Sequence, residues 1–215
     1  MDLALTADQE ALRARARALA DTIKEHELDC EEQNGLGPEA HAQIAARVRE
    51  LGLNAINMPS EWGGQGLGVL DQVLVQEELG VLTNALWDTV WRPANALRAC
   101  TPEQRASYLE PAIRGELRDC FAVTEAGAGS DPSLIQTTAE PAEGGYRLNG
   151  EKWFVTVGDV ADFLIVLALV LPEGAPTLFL VDKEHAGRDC PPDAALHAHL
   201  RLRAPGVRVR GRVRA

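Results

Sequence analysis

Two short stretches gather residue types that can do chemistry. The first, "VTEAGAGSD" from Val123 to Asp131, sets hydroxyls and carboxylates around a run of alternating alanine and glycine. Loops of this kind most often cradle phosphate. A P-loop needs a lysine after its last glycine to reach the phosphates, and Ser130 and Asp131 stand there instead. A dinucleotide fingerprint needs G-x-G-x-x-G between a strand and a long helix, but Gly127 and Gly129 run into Pro132 with no third glycine in register. Glu125 and Asp131 are poor general-base candidates, because a carboxylate beside glycine usually caps a turn. The second stretch, "WFVT" from Trp153 to Thr156, offers aromatic faces and a hydroxyl. Taken singly, Thr124 and Thr156 are ordinary strand threonines, and Trp153 and Phe154 ordinary core.

Bulk properties narrow the chemistry further. The chain has 215 residues, a net charge of −11, 46% apolar and 25% charged residues, which suits a globular protein with a sizeable core. The acidic balance argues against nucleic acid as a partner, since phosphate neutralisation needs a basic surface. The longest apolar run, Phe163 to Leu171, falls short of the roughly 18 residues of a membrane helix. The amino terminus does not read as a signal, so the expected setting is cytoplasmic, with no membrane span. Cys30, Cys100, Cys120 and Cys190 form no C-x-x-C pair and read as free thiols. His197 and His199 could share one strand face, but no third ligand accompanies them, so no metal is expected.

The elements that must position these stretches change character along the chain. Thr6 with Gln9 forms a capping box, and Leu12, Ala16, Leu19 and Ile23 follow at helical spacing, predicting a helix to about His26. A second helix starts at Pro38, carries Ile44, Val48 and Leu51 on one face and stops at Gly52. "LDQVLVQEELG" predicts a third. Thr101, Pro102 and Gln104 open another, which Pro111 should kink and Gly115 should end. Strand patterns follow: Asn149-Gly150 predicts a hairpin turn, Gly144-Gly145 a second turn, and "FLIVLALV" and "TLFLVDK" two strands. Helices before strands predict an α+β protein: a helical bundle domain over 1–118, then a β-sheet or barrel domain over 119–215. The tail places six arginines between Arg201 and Arg214, alternating with Leu200, Leu202, Val207, Val209 and Val213. That alternation suits a solvated edge strand, or a basic patch for an acidic partner such as CoA phosphates.

Three motifs together resemble the acyl-CoA dehydrogenase family, from the start of the chain to about Asp182. "LGLNAINMPSEWGGQGLG" (51–68) is similar to that family's loop after its second helix. "DCFAVTEAGAGSDPS" (119–133) resembles its flavin loop, and "LNGEKWFVTVGDVADFLIV" (148–166) the hairpin that closes over the flavin ring. The resemblance implies FAD as cofactor. It lays Phe121 to Ser130 along the flavin, with the Val123 backbone and the Thr124 side chain at the pyrimidine edge. It packs Phe154, Val155 and Thr156 on the ring, and brings Gly127 and Gly129 close to cofactor and acyl thioester. Ser130 falls near the pyrophosphate or the bound acyl-CoA. Many members carry tryptophan where Phe154 stands; phenylalanine keeps the apolar face and loses the indole donor. The loop around Trp62 either lines the substrate side or staples helices.

The implied reaction is α,β-dehydrogenation of an acyl-CoA thioester, with electrons passing to an electron-transfer flavoprotein or similar acceptor. By the same resemblance the catalytic base lies in a helical domain following the β domain. The chain ends before such a domain, so the expectation is an incomplete dehydrogenase with no catalytic residue of its own. The alternative is a non-catalytic or degenerate partner chain of the same fold. Either way, an exposed apolar face favours a homo-oligomer or a complementing subunit.

Overall fold

A computed structural model describes residues 4–33, 35–142, 145–183, 197–203 and 212–213, the last two stretches by backbone alone. The chain divides into two compact units, one running to Pro93 with Ile113–Gly115, the other holding Ala94–Ala112 and the residues from Glu116 on. It is an α+β protein, with helices first and a mixed sheet second.

The first unit contains α1 (Ala7–Lys24), α2 (Glu27–Glu32), α3 (Pro38–Glu50) and α4 (Val69–Leu79). The Thr6 hydroxyl accepts from the Gln9 amide while the Gln9 side chain accepts from the Thr6 amide, so two orphan donors of α1 are satisfied reciprocally. Helix α3 ends in a Schellman motif: Leu53 N–H donates to Val48 O, Gly52 N–H to Arg49 O, and Gly52 sits at φ +62°. Leu12, Leu19 and Ile23 of α1 pack with Ile44 and Val48 of α3 and Val75 and Leu79 of α4. Each such side chain contributes roughly 1.5–3 kcal/mol on burial. Arg13 and Arg17 of α1 both bond Glu78 of α4, whose side chain is only 3% exposed. In the 51–68 loop, Gly64 passes so close that a Cβ would lie 2.3 Å from Met58 O, which explains why glycine stands there.

The second unit opens with α5 (Pro102–Gln104), a π-helical stretch over Arg105–Leu109, and α6 (Glu110–Ile113). Pro111 has no N–H to give, and the chain widens just before it rather than breaking. Tyr108 ties this helix to the sheet, its ring 4.9 Å from that of Phe163 and its hydroxyl donating to Asp182 Oδ1 at 2.8 Å. The strands are β1 (Asp119–Ala122), β2 (Thr138–Ala142), β3 (Gly145–Thr156), β4 (Phe163–Val170), β5 (Ala175–Asp182), β6 (His197–Arg203) and β7 (Arg212–Val213). They lie in the order β6-β3-β2-β4-β5-β7, with β1 also on β4. The "FLIVLALV" run is the central strand β4, buried on both faces, as its lack of alternation requires.

One expectation is overturned. Asn149-Gly150 does not turn the chain, because β3 runs unbroken through it, pairing Asn149 with Thr138 on one side and with Arg203 on the other. Gly150 is there for steric reasons, since a Cβ would lie 2.3 Å from Thr137 Oγ1. The β2–β3 pairing instead runs up to Ala142 opposite Gly145; the turn predicted at Gly144-Gly145 begins outside the described residues.

Candidate functional site

Strand topology creates the loop. β1 runs parallel to β4 from Asp119 opposite Phe163 to Ala122 opposite Val166, and β2 resumes on the same edge at Thr138 opposite Leu169. Residues 123–137 therefore leave the sheet and return to the same edge of β4, held at both ends by a rigid strand. Within the excursion, Glu125 and Ala128 exchange backbone hydrogen bonds of 3.1 Å, making a tight turn of small residues. Asp131 bonds the amide and hydroxyl of Ser133 at 2.9 and 2.6 Å, which caps the following turn and holds its carboxyl below the usual range.

The second stretch arrives from β3. Trp153 N–H donates to Thr124 O at 2.8 Å, so the Val123-Thr124 segment and the Trp153–Thr156 segment are neighbours. At that point the β3–β6 register shifts between Lys152 and Val155, and Phe154 adopts φ +53°. A bulge with a non-glycine residue in the left-handed region costs on the order of 1–3 kcal/mol and re-aims the side chain. The consequence is that Phe154 is 54% exposed while Val155 beside it is buried. Phe121, the outward residue of β1, is 44% exposed. Val123, Thr124 and Thr156 are half-buried, and Gly129 and Ser130 lie exposed beyond the Glu125–Ala128 turn. Gly127 and Gly129 both have conformations open to other residues, and a Cβ on either would meet nothing within 4 Å. The turn itself does not require glycine there, and the space on their outer side is open. A cavity of about 310 Å³, lined among others by Gly127, Leu134, Gly150 and Trp153, adjoins the loop.

Beneath the loop lies a group that motif reading passed over. Lys152, fully buried, donates from Nζ to Glu125 Oε1 at 2.7 Å and to Val123 O at 2.9 Å. Glu125 also accepts from the Thr137 amide and hydroxyl at 3.0 and 2.5 Å and from the Gln136 amide at 2.7 Å. Burial pushes the Glu125 carboxyl up, but these hydrogen bonds prevail and hold it below its ordinary value. Burial lowers the Lys152 ammonium, with Glu125 opposing. Glu125 is thus a structural anion, bound to Lys152, Thr137 and Gln136 rather than presented to a substrate. The missed signal was a lysine at the period-two position shared with Leu148 and Gly150, the inward face of β3. Cys120 is buried and its thiol pushed up to about 12 by burial first, an inert group. No group of metal-ligating side chains gathers among the described residues; the side chains of His197 and His199, Cys190 and the arginines of the tail lie outside them.

A profile of the acyl-CoA dehydrogenase N-terminal domain matches residues 6–116, and one of the middle domain matches residues 120–210. The chain belongs to the acyl-CoA dehydrogenase family. An acryloyl-CoA reductase (NADH) of Anaerotignum propionicum is 32% identical over 179 residues, 80% of this chain and 45% of the relative. A 3-(aryl)acrylate reductase of Clostridium sporogenes is 33% identical over 190 residues, 85% of this chain and 50% of the relative. This acyl-CoA dehydrogenase-family chain therefore spans about half the length of the curated relatives it matches. Among solved structures, an FAD complex of PigA superposes with a TM-score of 0.79 at 27% identity, covering 99% of this chain and 59% of that one. Among the described residues no helix is long and apolar enough to cross a membrane.

Proposed function

We propose that this chain supplies the flavin ring site of an FAD-dependent acyl-CoA dehydrogenase-type oxidoreductase acting on the CH–CH bond of an acyl thioester, in the cytoplasm. The observation that carries the reading is the Trp153 N–H to Thr124 O hydrogen bond, which sets both family motifs side by side. The residues present fit such a group. Among the described residues nothing accepts a hydrogen bond from the Thr124 N–H, leaving a donor for the polar edge of a ring. Phe121 and Phe154 offer exposed apolar faces, and the outer sides of Gly127 and Gly129 are clear.

When bound, FAD supplies the acceptor for the hydride that leaves the β carbon. The Val123-Thr124 peptide and the Thr124 hydroxyl would hold the polar edge of the ring and favour negative charge there. Phe154 and Thr156 would pack on and bond the ring, with the Val155 side chain, expected there from the motif, buried behind them instead, while Gly129 and Ser130 would leave room for the pyrophosphate or the acyl-CoA. We assign no proton-abstracting base among the described residues, since Glu125 is consumed by Lys152 and Asp131 by its turn. That step, electron transfer to a flavoprotein acceptor, and assembly as a homo-oligomer or with a complementing subunit complete the proposal. Exposed Val69, Leu70 and Val73 on α4 support association. Equilibrium dialysis against FAD tests the reading: wild type retains flavin, and Thr124→Val weakens retention by roughly fivefold, one net hydrogen bond of about 1 kcal/mol. Equal, negligible retention by both would overturn it.

A further inference from the structure

A charge buried in a β domain needs a reason, and the Lys152–Glu125 pair does more than fill space. Its ammonium donates to the carbonyl of the peptide whose other end is the Thr124 N–H. A cation on a carbonyl oxygen draws electron density through the peptide and makes its N–H a stronger donor. Glu125, 2.7 Å from the same Nζ, partly cancels that field. The opposed charges sit behind one donor, and their balance sets how strongly the donor favours negative charge in front of it.

We propose that Lys152 and Glu125 are positioning residues that tune the cofactor: Lys152, through Val123 O, favours the reduced flavin at the Thr124 N–H, and Glu125 moderates it. This rests on the flavin-site reading above. Both side chains are buried, at 0% and 9% exposure, so water does little to screen them. Both act through the Val123-Thr124 peptide. Gly150 belongs to the same device, because its missing Cβ lets Thr137 reach Glu125 and fix the carboxylate.

The test is the flavin midpoint potential of the FAD-loaded chain, measured for wild type, Glu125→Gln, Lys152→Met and the double variant. Glu125→Gln keeps an acceptor and removes the moderating charge, so the potential shifts positive. Lys152→Met leaves the carboxylate unopposed, so it shifts negative. The double variant falls between the two. A merely structural role moves thermal stability in all three variants and leaves the potential alone, or moves it in one direction. Retained flavin with unshifted or same-signed potentials overturns the inference and leaves the flavin-site reading intact. If Lys152→Met does not fold, the sign for Glu125→Gln decides alone. A wild-type chain that holds no flavin overturns both.

Discussion

Lys152 Nζ sits 2.7 Å from Glu125 Oε1 and 2.9 Å from Val123 O, so one buried ammonium ties the glycine loop to strand β3 at two points. Removing either partner strands the other in a poorly solvated site. Lys152→Met should destabilise the chain by about 3–5 kcal/mol, the usual cost of orphaning one member of a buried pair. Denaturant unfolding checks this, and a change below 1 kcal/mol would show the pair to be solvated.

Acid should act on the same pair. Glu125 is held below its ordinary value of 4.5, so its contribution is fully present above that pH and is lost as pH falls through the lower folded value. Stability should decline with acidification below about pH 4.5, and Glu125→Gln should flatten the decline. Parallel pH profiles for the two proteins would contradict the assignment.

The glycines separate into two kinds. Gly150→Ala would push a Cβ to 2.3 Å from Thr137 Oγ1 and should cost about 1–3 kcal/mol. Gly129→Ala meets nothing within 4 Å and should leave the melting temperature of the ligand-free chain unchanged while lowering flavin retention. Paired melting and binding measurements on both variants separate the two roles.

Cys100 and Cys120 should be quiet towards thiol reagents at neutral pH. Burial raises Cys120 to about 12 and Cys100 to about 11, leaving little thiolate at either. Mapped alkylation of the native chain at pH 7.5 should leave Cys120 unmodified, with reaction only after unfolding.

Much of this architecture was legible because its signals are local. The capping boxes at Thr6–Gln9 and Thr101–Gln104 formed as their spacing implied, since each needs only its own four residues. Gly52 ended α3 for the same reason. Asn149-Gly150 misled because its glycine answers to Thr137, a neighbour just ahead of β2 that no local pattern contains. Lys152 was passed over because a charge becomes buried only when a distant carboxylate meets it. Phe154's exposure depends on a bulge between Lys152 and Val155, which the alternation of the strand does not foretell.

The most direct measurement is the visible absorption spectrum of the purified chain after incubation with FAD and removal of free cofactor. The account predicts a retained flavin band, displaced from that of free FAD by the Thr124 edge and the Phe154 face. A colourless protein, with all the FAD in the wash, would contradict it.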